Sequence, residues 1–346
     1  MEAAVGQASP FPGRGVGGRG TDSLHGQSAV VAGGSRGLGL LLADRLAARG
    51  CAVTLAARDG AELDRARAKL LQRQPGATVR TAVCDLREQA DVRDLFTATR
   101  DACGGVDLVI ANAGIIQVAP VESLDAADFD DAMRSIFHAA LHTSLEALPH
   151  LKESASGGRL ALISSVGGLL GVPHLVPYAC AKSAVGTLAE GLRAEMSGTE
   201  VSVTAVYPGL MRTGSHLHAM FGGAQRQEYG WFSTVASTPL VSMSARQAAE
   251  RIVRATVRRR ARLVLTPAAR AADLAHGIAP ATTTRLSGLA ARLLPRAPAH
   301  PHGMRAGEDI DPPRGPVART VQRAGSALNE RAADAYNERD RDTRGG

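Results

Sequence analysis

From Ser28 onward, short apolar runs recur along the chain: SAVVA (28–32), CAVTLAA (51–57), TVRTAVC (78–84), VDLVIA (106–111), RLALIS (159–164), VSVTAVY (201–207) and RLVLT (262–266). Each is rich in Val, Leu, Ile or Thr, the texture of strands buried on both faces of a parallel sheet. Stretches of helical length lie between them. LGLLLADRLAARG (38–50) puts Leu38, Leu41, Leu42 and Leu46 on one face and stops at Gly50, which predicts an amphipathic helix with a glycine end. GAELDRARAKLLQRQPG (60–76) repeats the pattern with Leu63, Ala66 and Leu70 and ends in Pro-Gly.

Seven alternations of strand and helix predict an α/β fold with a doubly wound parallel sheet of about seven strands, one domain over residues 28–267. Residues 1–27 hold seven glycines and no apolar period, and read as a flexible leader. Residues 268–296 are rich in Ala, Leu and Arg and read as a basic amphipathic helical extension. Residues 297–346 are rich in Pro, Gly, Arg and Asp. They read as a largely disordered tail with room for a short helix near 318–336. No charged start followed by an apolar run opens the chain, and no run reaches the roughly 18 apolar residues of a spanning helix. The expected location is cytoplasmic.

Composition narrows the chemistry. Only 3% of residues are aromatic, which argues against stacking platforms for single-stranded nucleic acid. Cys51, Cys84, Cys103 and Cys180 form no CxxC pair and have no histidine at ligand spacing, so neither a metal nor a disulfide is expected. The formal charge of +7 is uneven. Arg246 to Ala299 contains eleven arginines against Glu250 and Asp273, while the rest of the chain is slightly acidic. No DNA-binding motif accompanies that charge, so specific nucleic-acid binding is not expected.

The first strand runs into AGGSRGLG (32–39) and then a helix. Gly33, Gly37 and Gly39 fall in the turn of the first βαβ unit. There glycine lets a pyrophosphate approach the backbone and meet the helix N-terminus. The second strand ends LAARD, with Ala57 where an acid would hold the ribose of NAD and Arg58 next. With Arg36 in the glycine loop, Arg58 favours a 2′-phosphate, hence NADP(H). Asp59 next door keeps NAD(H) open.

Further along come CDL (84–86), ANAG (111–114), ISSVGG (163–168), YACAK (178–182) and YPGLMRT (207–213). In this order the series resembles the short-chain dehydrogenase/reductase family over roughly residues 27–267. The resemblance implies a Rossmann fold and a carbonyl–alcohol oxidoreductase with Ser165, Tyr178 and Lys182 as catalytic residues. It implies cofactor contacts from Gly33, Ser35, Arg36, Gly37, Leu38 and Gly39, from Arg58, from Asp85 (to the adenine) and Leu86, and from Asn112, Ala113 and Gly114. Tyr178, Lys182, Pro208, Gly209 and Thr213 complete that set. A homodimer or homotetramer is also implied. The chemistry agrees with the residues. Tyr178 and Lys182 share a helical face, and a nearby ammonium would lower the phenol's pKa toward neutrality. Lys182 is one of only three lysines against 37 arginines, and arginine would serve badly there.

Two positions depart from the family pattern. Ala32 replaces the usual threonine. Ile136 stands where an asparagine usually supports a water in the proton relay to the lysine, with Ser135 or His138 as possible substitutes. The segment 214–242 concentrates Met220, Phe221, Tyr229, Trp231 and Phe232 and suggests an apolar carbonyl or alcohol substrate. In TRLSGLAARLLPR (284–296), Leu286, Leu289, Leu293 and Leu294 share a face flanked by Arg285, Arg292 and Arg296. That pattern suits peripheral contact with an anionic membrane surface or docking on protein. The competing readings are a nucleotide-binding scaffold or sensor with little turnover, and a membrane-associated protein acting through the basic tail.

Overall fold

All seven apolar runs form strands: β1 (Ser28–Ala32), β2 (Ala52–Ala57), β3 (Val79–Val83), β4 (Leu108–Ala111), β5 (Arg159–Ile163), β6 (Ser202–Tyr207) and β7 (Arg262–Val264). The structure, a computed structural model, describes residues 23–238, 242–298, 302–311 and 316–339. The strands lie in the order β7-β6-β5-β4-β1-β2-β3, and every neighbouring pair is parallel. Strand order therefore reverses between β1 and β4, and a ligand crevice belongs at the carboxyl ends there. β1, β4 and β6 are buried along their whole length, as runs without polar alternation require.

The helices are α1 (Gly37–Ala47), α2 (Gly60–Arg73), α3 (Gln89–Cys103), α4 (Ala126–Ala132), α5 (Ala139–Lys152), α6 (Val176–Glu195), α7 (Gln225–Ser237), α8 (Ala245–Val257), α9 (Pro267–Ile278), α10 (Pro280–Ala291) and α11 (Pro316–Ala335). Between α4 and α5 the chain makes a π-helical turn, Met133–His138, a distortion that often marks a functional site.

α1 departs from the one-faced pattern. Every residue except Arg45 is buried, because α8 covers it and the C-terminal Ala332 and Tyr336 join the same core. In the tail, the described residues include a helix over the stretch where a short one had room, and a strand besides. Strand His302–Ala306 pairs antiparallel with Met220–Gly223, and α11 runs for twenty residues. Ala332, Ala333 and Tyr336 are buried. Their apolar face finds its partners only in three dimensions, so the polar composition concealed it.

The leader expected over residues 1–27 lies outside the described residues up to residue 22. Beyond that the chain is packed: Leu24 is buried and its N–H donates to the Arg49 carbonyl at 2.9 Å. The basic extension is helical, but as two helices. α10 ends at Ala291, and Leu293 and Leu294 lie in the turn beyond it. The residue before Pro295 is pushed out of helical conformation, so the four leucines do not share one helix.

Candidate active site

The carboxyl ends of the central strands open on a cleft of about 1010 Å³, large enough for a dinucleotide and a second molecule together. Every residue that the resemblance names as catalytic or cofactor-contacting lines it except Gly39. Gly39 lies behind the wall, where a Cβ would strike the Gly33 carbonyl, so this glycine lets α1 pack against the β1 turn. Gly33 has a φ of +78°, and a Cβ there would come within 2.9 Å of the Ala113 backbone. Asn112 holds this turn from β4, its Nδ2 donating to the Gly33 carbonyl at 2.9 Å.

Ser165, Tyr178 and Lys182 meet where β5 ends and α6 begins. Ser165 starts a short 3-10 turn, its Oγ accepting from Gly167 N–H at 3.1 Å. Tyr178 and Lys182 stand one turn apart on α6. Lys182 is buried, and its Nζ donates to the Ile163 carbonyl at 2.8 Å, 5.8 Å from the centre of the Tyr178 ring. Burial brings its pKa down to about 8.

The tyrosine departs from expectation. Protein crowding raises the phenol above its ordinary value, and the Ser165 hydroxyl is what pulls it back down. The ammonium of Lys182 is directed at a carbonyl, not at the phenol, so the lowered phenol pKa expected from helical spacing is absent here. Cys180, between them on α6, is exposed. Cys51 and Cys84 are buried, and all four cysteines are free thiols.

Ile136 is fully buried in the π-helical turn, beside Lys182. A Cβ on Gly114 would meet Ile136 Cγ1 at 3.2 Å and Lys182 Nζ at 3.3 Å. Ser135 lines the cleft. His138 packs edge-on against Phe137 and His142 instead.

At the adenosine end, Asp85 is gripped by Arg87, whose Nε lies 3.0 Å from both carboxylate oxygens. That pairing holds the Asp85 carboxyl below its usual range. Asp59 caps α2 by accepting from Glu62 N–H at 2.9 Å. Arg36 is held between Glu62 at 3.2 Å and Glu338 at 3.6 Å. Arg58 is exposed on the cleft wall and hydrogen-bonds to none of the described residues.

At the other end, Ile116, Val172, Leu175, Trp231, Phe232 and Val235 form an apolar wall. Phe221 and Tyr229 pack behind it as core. Thr213 is buried, its hydroxyl donating to Ser215 Oγ at 2.9 Å. Glu62, Arg87, His218 and Glu338 also line the cleft. No local pattern singles these four out, because chain folding alone brings them there.

Residues 27–219 match the family model described as short chain dehydrogenase. The chain is 33% identical over 191 residues to gluconate 5-dehydrogenase of Gluconobacter oxydans, covering 55% of this chain and 73% of that one. It is 29% identical over 280 residues to a fatty acyl-CoA reductase of Acinetobacter baylyi, covering 80% and 88%. Among solved structures it resembles levodione reductase, with a TM-score of 0.60, 25% identity and coverage of 69% of this chain and 95% of that one. An NADPH-bound short chain oxidoreductase of Pseudomonas aeruginosa has the same TM-score at 24% identity, covering 70% and 96%. The chain belongs to the short-chain dehydrogenase/reductase family, and it is an oxidoreductase.

Proposed function

We propose that this oxidoreductase interconverts a carbonyl and an alcohol on an apolar substrate with NADP(H), Tyr178 serving as general acid and base. The observation that carries this reading is the grouping of Ser165, Tyr178 and Lys182 between the glycine turn and the apolar wall. Gly33, Ser35 and Leu38 would hold the dinucleotide's phosphates, Arg58 its 2′-phosphate, and Lys182 and Thr213 its nicotinamide end. The backbone-packed glycine turn supports that fit. When bound, the nicotinamide supplies or accepts a hydride at the substrate carbon.

The chain's own groups handle the oxygen. Ser165 donates a hydrogen bond to the carbonyl oxygen as negative charge develops on it. The Tyr178 phenol, protonated at neutral pH, gives its proton to that oxygen in reduction and takes one back in oxidation. Lys182 places a positive charge within a turn of the phenolate that reduction leaves behind, and Ser135 can relay solvent protons from the cleft wall.

A fatty acyl-CoA reductase among the relatives and the Trp231–Phe232 wall both support a long-chain or otherwise apolar substrate. The test is NADPH oxidation over a panel of aldehydes and ketones of graded chain length. Rates rising with chain length and abolished in Tyr178→Phe are expected. No turnover of any member would favour a nucleotide-binding sensor instead. The chain's α9–α10 hairpin, exposed and basic, also supports peripheral contact with an anionic membrane. Among the described residues no helix is long and apolar enough to cross one.

A further inference from the structure

The anion seat of a glycine loop is the set of backbone N–H groups at the N-terminus of its helix. Here the first amide of α1 already has a partner. Gly37 N–H donates to the Tyr336 carbonyl at 2.8 Å. The next residue, Asn337, adopts a left-handed conformation with φ +65°. Its Nδ2 donates to the Ser35 carbonyl at 2.9 Å and the Glu62 carbonyl at 3.1 Å, and its Oδ1 accepts from Lys69 Nζ at 3.0 Å.

Glu338 then turns inward. Its side chain is 3% exposed, lines the cleft and contacts Gly37 so closely that a Cβ there would strike Oε1. Its Oε2 has no hydrogen-bond partner. Arg36 Nε lies 3.6 Å away and His218 Nε2 3.4 Å away, and His218 Nε2 donates to the Glu338 backbone carbonyl at 2.9 Å. Upstream, Ala333 presses on Gly214, where a Cβ would collide with its backbone. A buried acid aimed into an anion seat with one oxygen unsatisfied costs stability unless the site is built to be vacated or filled otherwise.

We propose that Tyr336–Glu338 is an in-chain occupant of the dinucleotide's phosphate seat, that this segment must lift for the dinucleotide to bind, and that Glu338 sets the affinity. The proposal rests on the reading of the glycine loop as a dinucleotide site. Two geometric facts carry it: one amide cannot serve both the Tyr336 carbonyl and a phosphate, and a phosphate beside Gly37 would overlap the Glu338 carboxyl. Arg36 is a shared ligand, paired with Glu338 when the segment is down and released when it lifts. Apparent affinity is then the intrinsic affinity reduced by the fraction of molecules with the seat open.

Burial pushes the Glu338 carboxyl up to about 8. The groups facing it are Arg36 from the glycine loop, Glu62 from α2, His218 from the turn before Met220–Gly223, and Glu308 from the turn after His302–Ala306. A raised carboxyl favours the docked segment at acid pH. That advantage shrinks as pH rises and is gone above about 8.

Binding of NADP+ by calorimetry and hydrogen exchange of residues 326–338 in the full chain test this together. Glu338→Ala should bind NADP+ about tenfold more tightly than the unaltered protein, and Asn337→Ala, which removes the tether but keeps the acid, should move the same way. Glu338→Gln should match the unaltered protein only near pH 4, below the carboxyl's ordinary value, and bind more weakly near pH 8.5. NADP+ should strip exchange protection from the segment. If NADP+ binds but protection rises and Glu338→Ala binds no tighter, the segment is a cover over bound cofactor and the proposal fails alone. If neither NADP+ nor NAD+ binds any of these proteins, the dinucleotide reading and the proposal fall together.

Discussion

Lys182 donates its buried ammonium to the Ile163 carbonyl at 2.8 Å while the Tyr178 ring centre stands 5.8 Å off. The lysine is therefore anchored to the end of β5, and the tyrosine is tuned by burial and Ser165. Keeping that charge buried is expensive: the pKa falls from 10.5 to about 8, on the order of 3 kcal/mol. Lys182→Met removes the cost but orphans the Ile163 carbonyl, which takes back about 1.5 kcal/mol. The variant should lose turnover yet melt about 3 °C higher at pH 7. Because the folded-state pKa is depressed, the penalty is full below about 8 and vanishes toward 10.5. The melting advantage should therefore shrink over that interval. An equal or lower melting temperature at pH 7 would show that the lysine is not held against a desolvation cost.

The Ser165 hydroxyl draws the phenol downward against the effect of burial. Ser165→Ala should thus do two separable things. It should cut turnover by about 10²- to 10³-fold, the effect of removing one oxyanion donor. It should also move the alkaline limb of the oxidation rate to higher pH, since oxidation needs the phenolate. A fall in rate with an unmoved limb would assign Ser165 to substrate orientation only.

The seven strands were legible because each is a short apolar run bounded by helical periods, and β1, β4 and β6 are buried as such runs demand. The lining of the cleft was legible where motif and position coincide, as at Gly33, Asn112, Ser165 and Tyr178. What the chain concealed lies in direction and distance. Spacing places Lys182 on the Tyr178 face but does not say that its Nζ reaches back to Ile163. Arg36 looks free in sequence and is held by Glu62 from α2 and Glu338 from 302 positions later. The buried apolar residues among the tail's described positions, Ala332, Ala333 and Tyr336, sit in a polar composition that reads as disorder.

That difference between the two arginines predicts an unequal division of labour in cofactor choice. Arg36 has its charge offset by two carboxylates, whereas Arg58 is exposed and has no hydrogen-bond partner among the described residues. Arg58→Ala should weaken NADPH binding about tenfold, because it removes a charge-assisted hydrogen bond to the 2′-phosphate, and leave NADH within about twofold. Glu62→Ala should leave Arg36 with Glu338 as its one carboxylate partner among the described residues and tighten NADPH. Equal weakening for both cofactors in Arg58→Ala would remove the 2′-phosphate from its role.

Leu274, Ile278, Leu286, Leu289 and Leu293 are 54–88% exposed and make up half of the ten large apolar side chains that the described residues leave open. All five lie on the α9–α10 hairpin and its following turn, where α10 buries no residue and α9 buries only Ala269. Arg270, Arg285, Arg292 and Arg296 surround them against a single carboxylate, Asp273, which Arg262 already pairs at 2.8 Å. Apolar side chains ringed by cations fit an anionic lipid surface better than a second copy of this equally cationic hairpin. The protein should co-sediment with phosphatidylserine-containing vesicles at low salt and lose most of that binding at high salt. Leu286→Ser with Leu289→Ser and Leu293→Ser should abolish it while leaving NADPH binding unchanged, since none of the three lines the cleft. Vesicle binding that survives the triple substitution would remove the hairpin as the contact. Equal binding to neutral vesicles would remove the arginines from it.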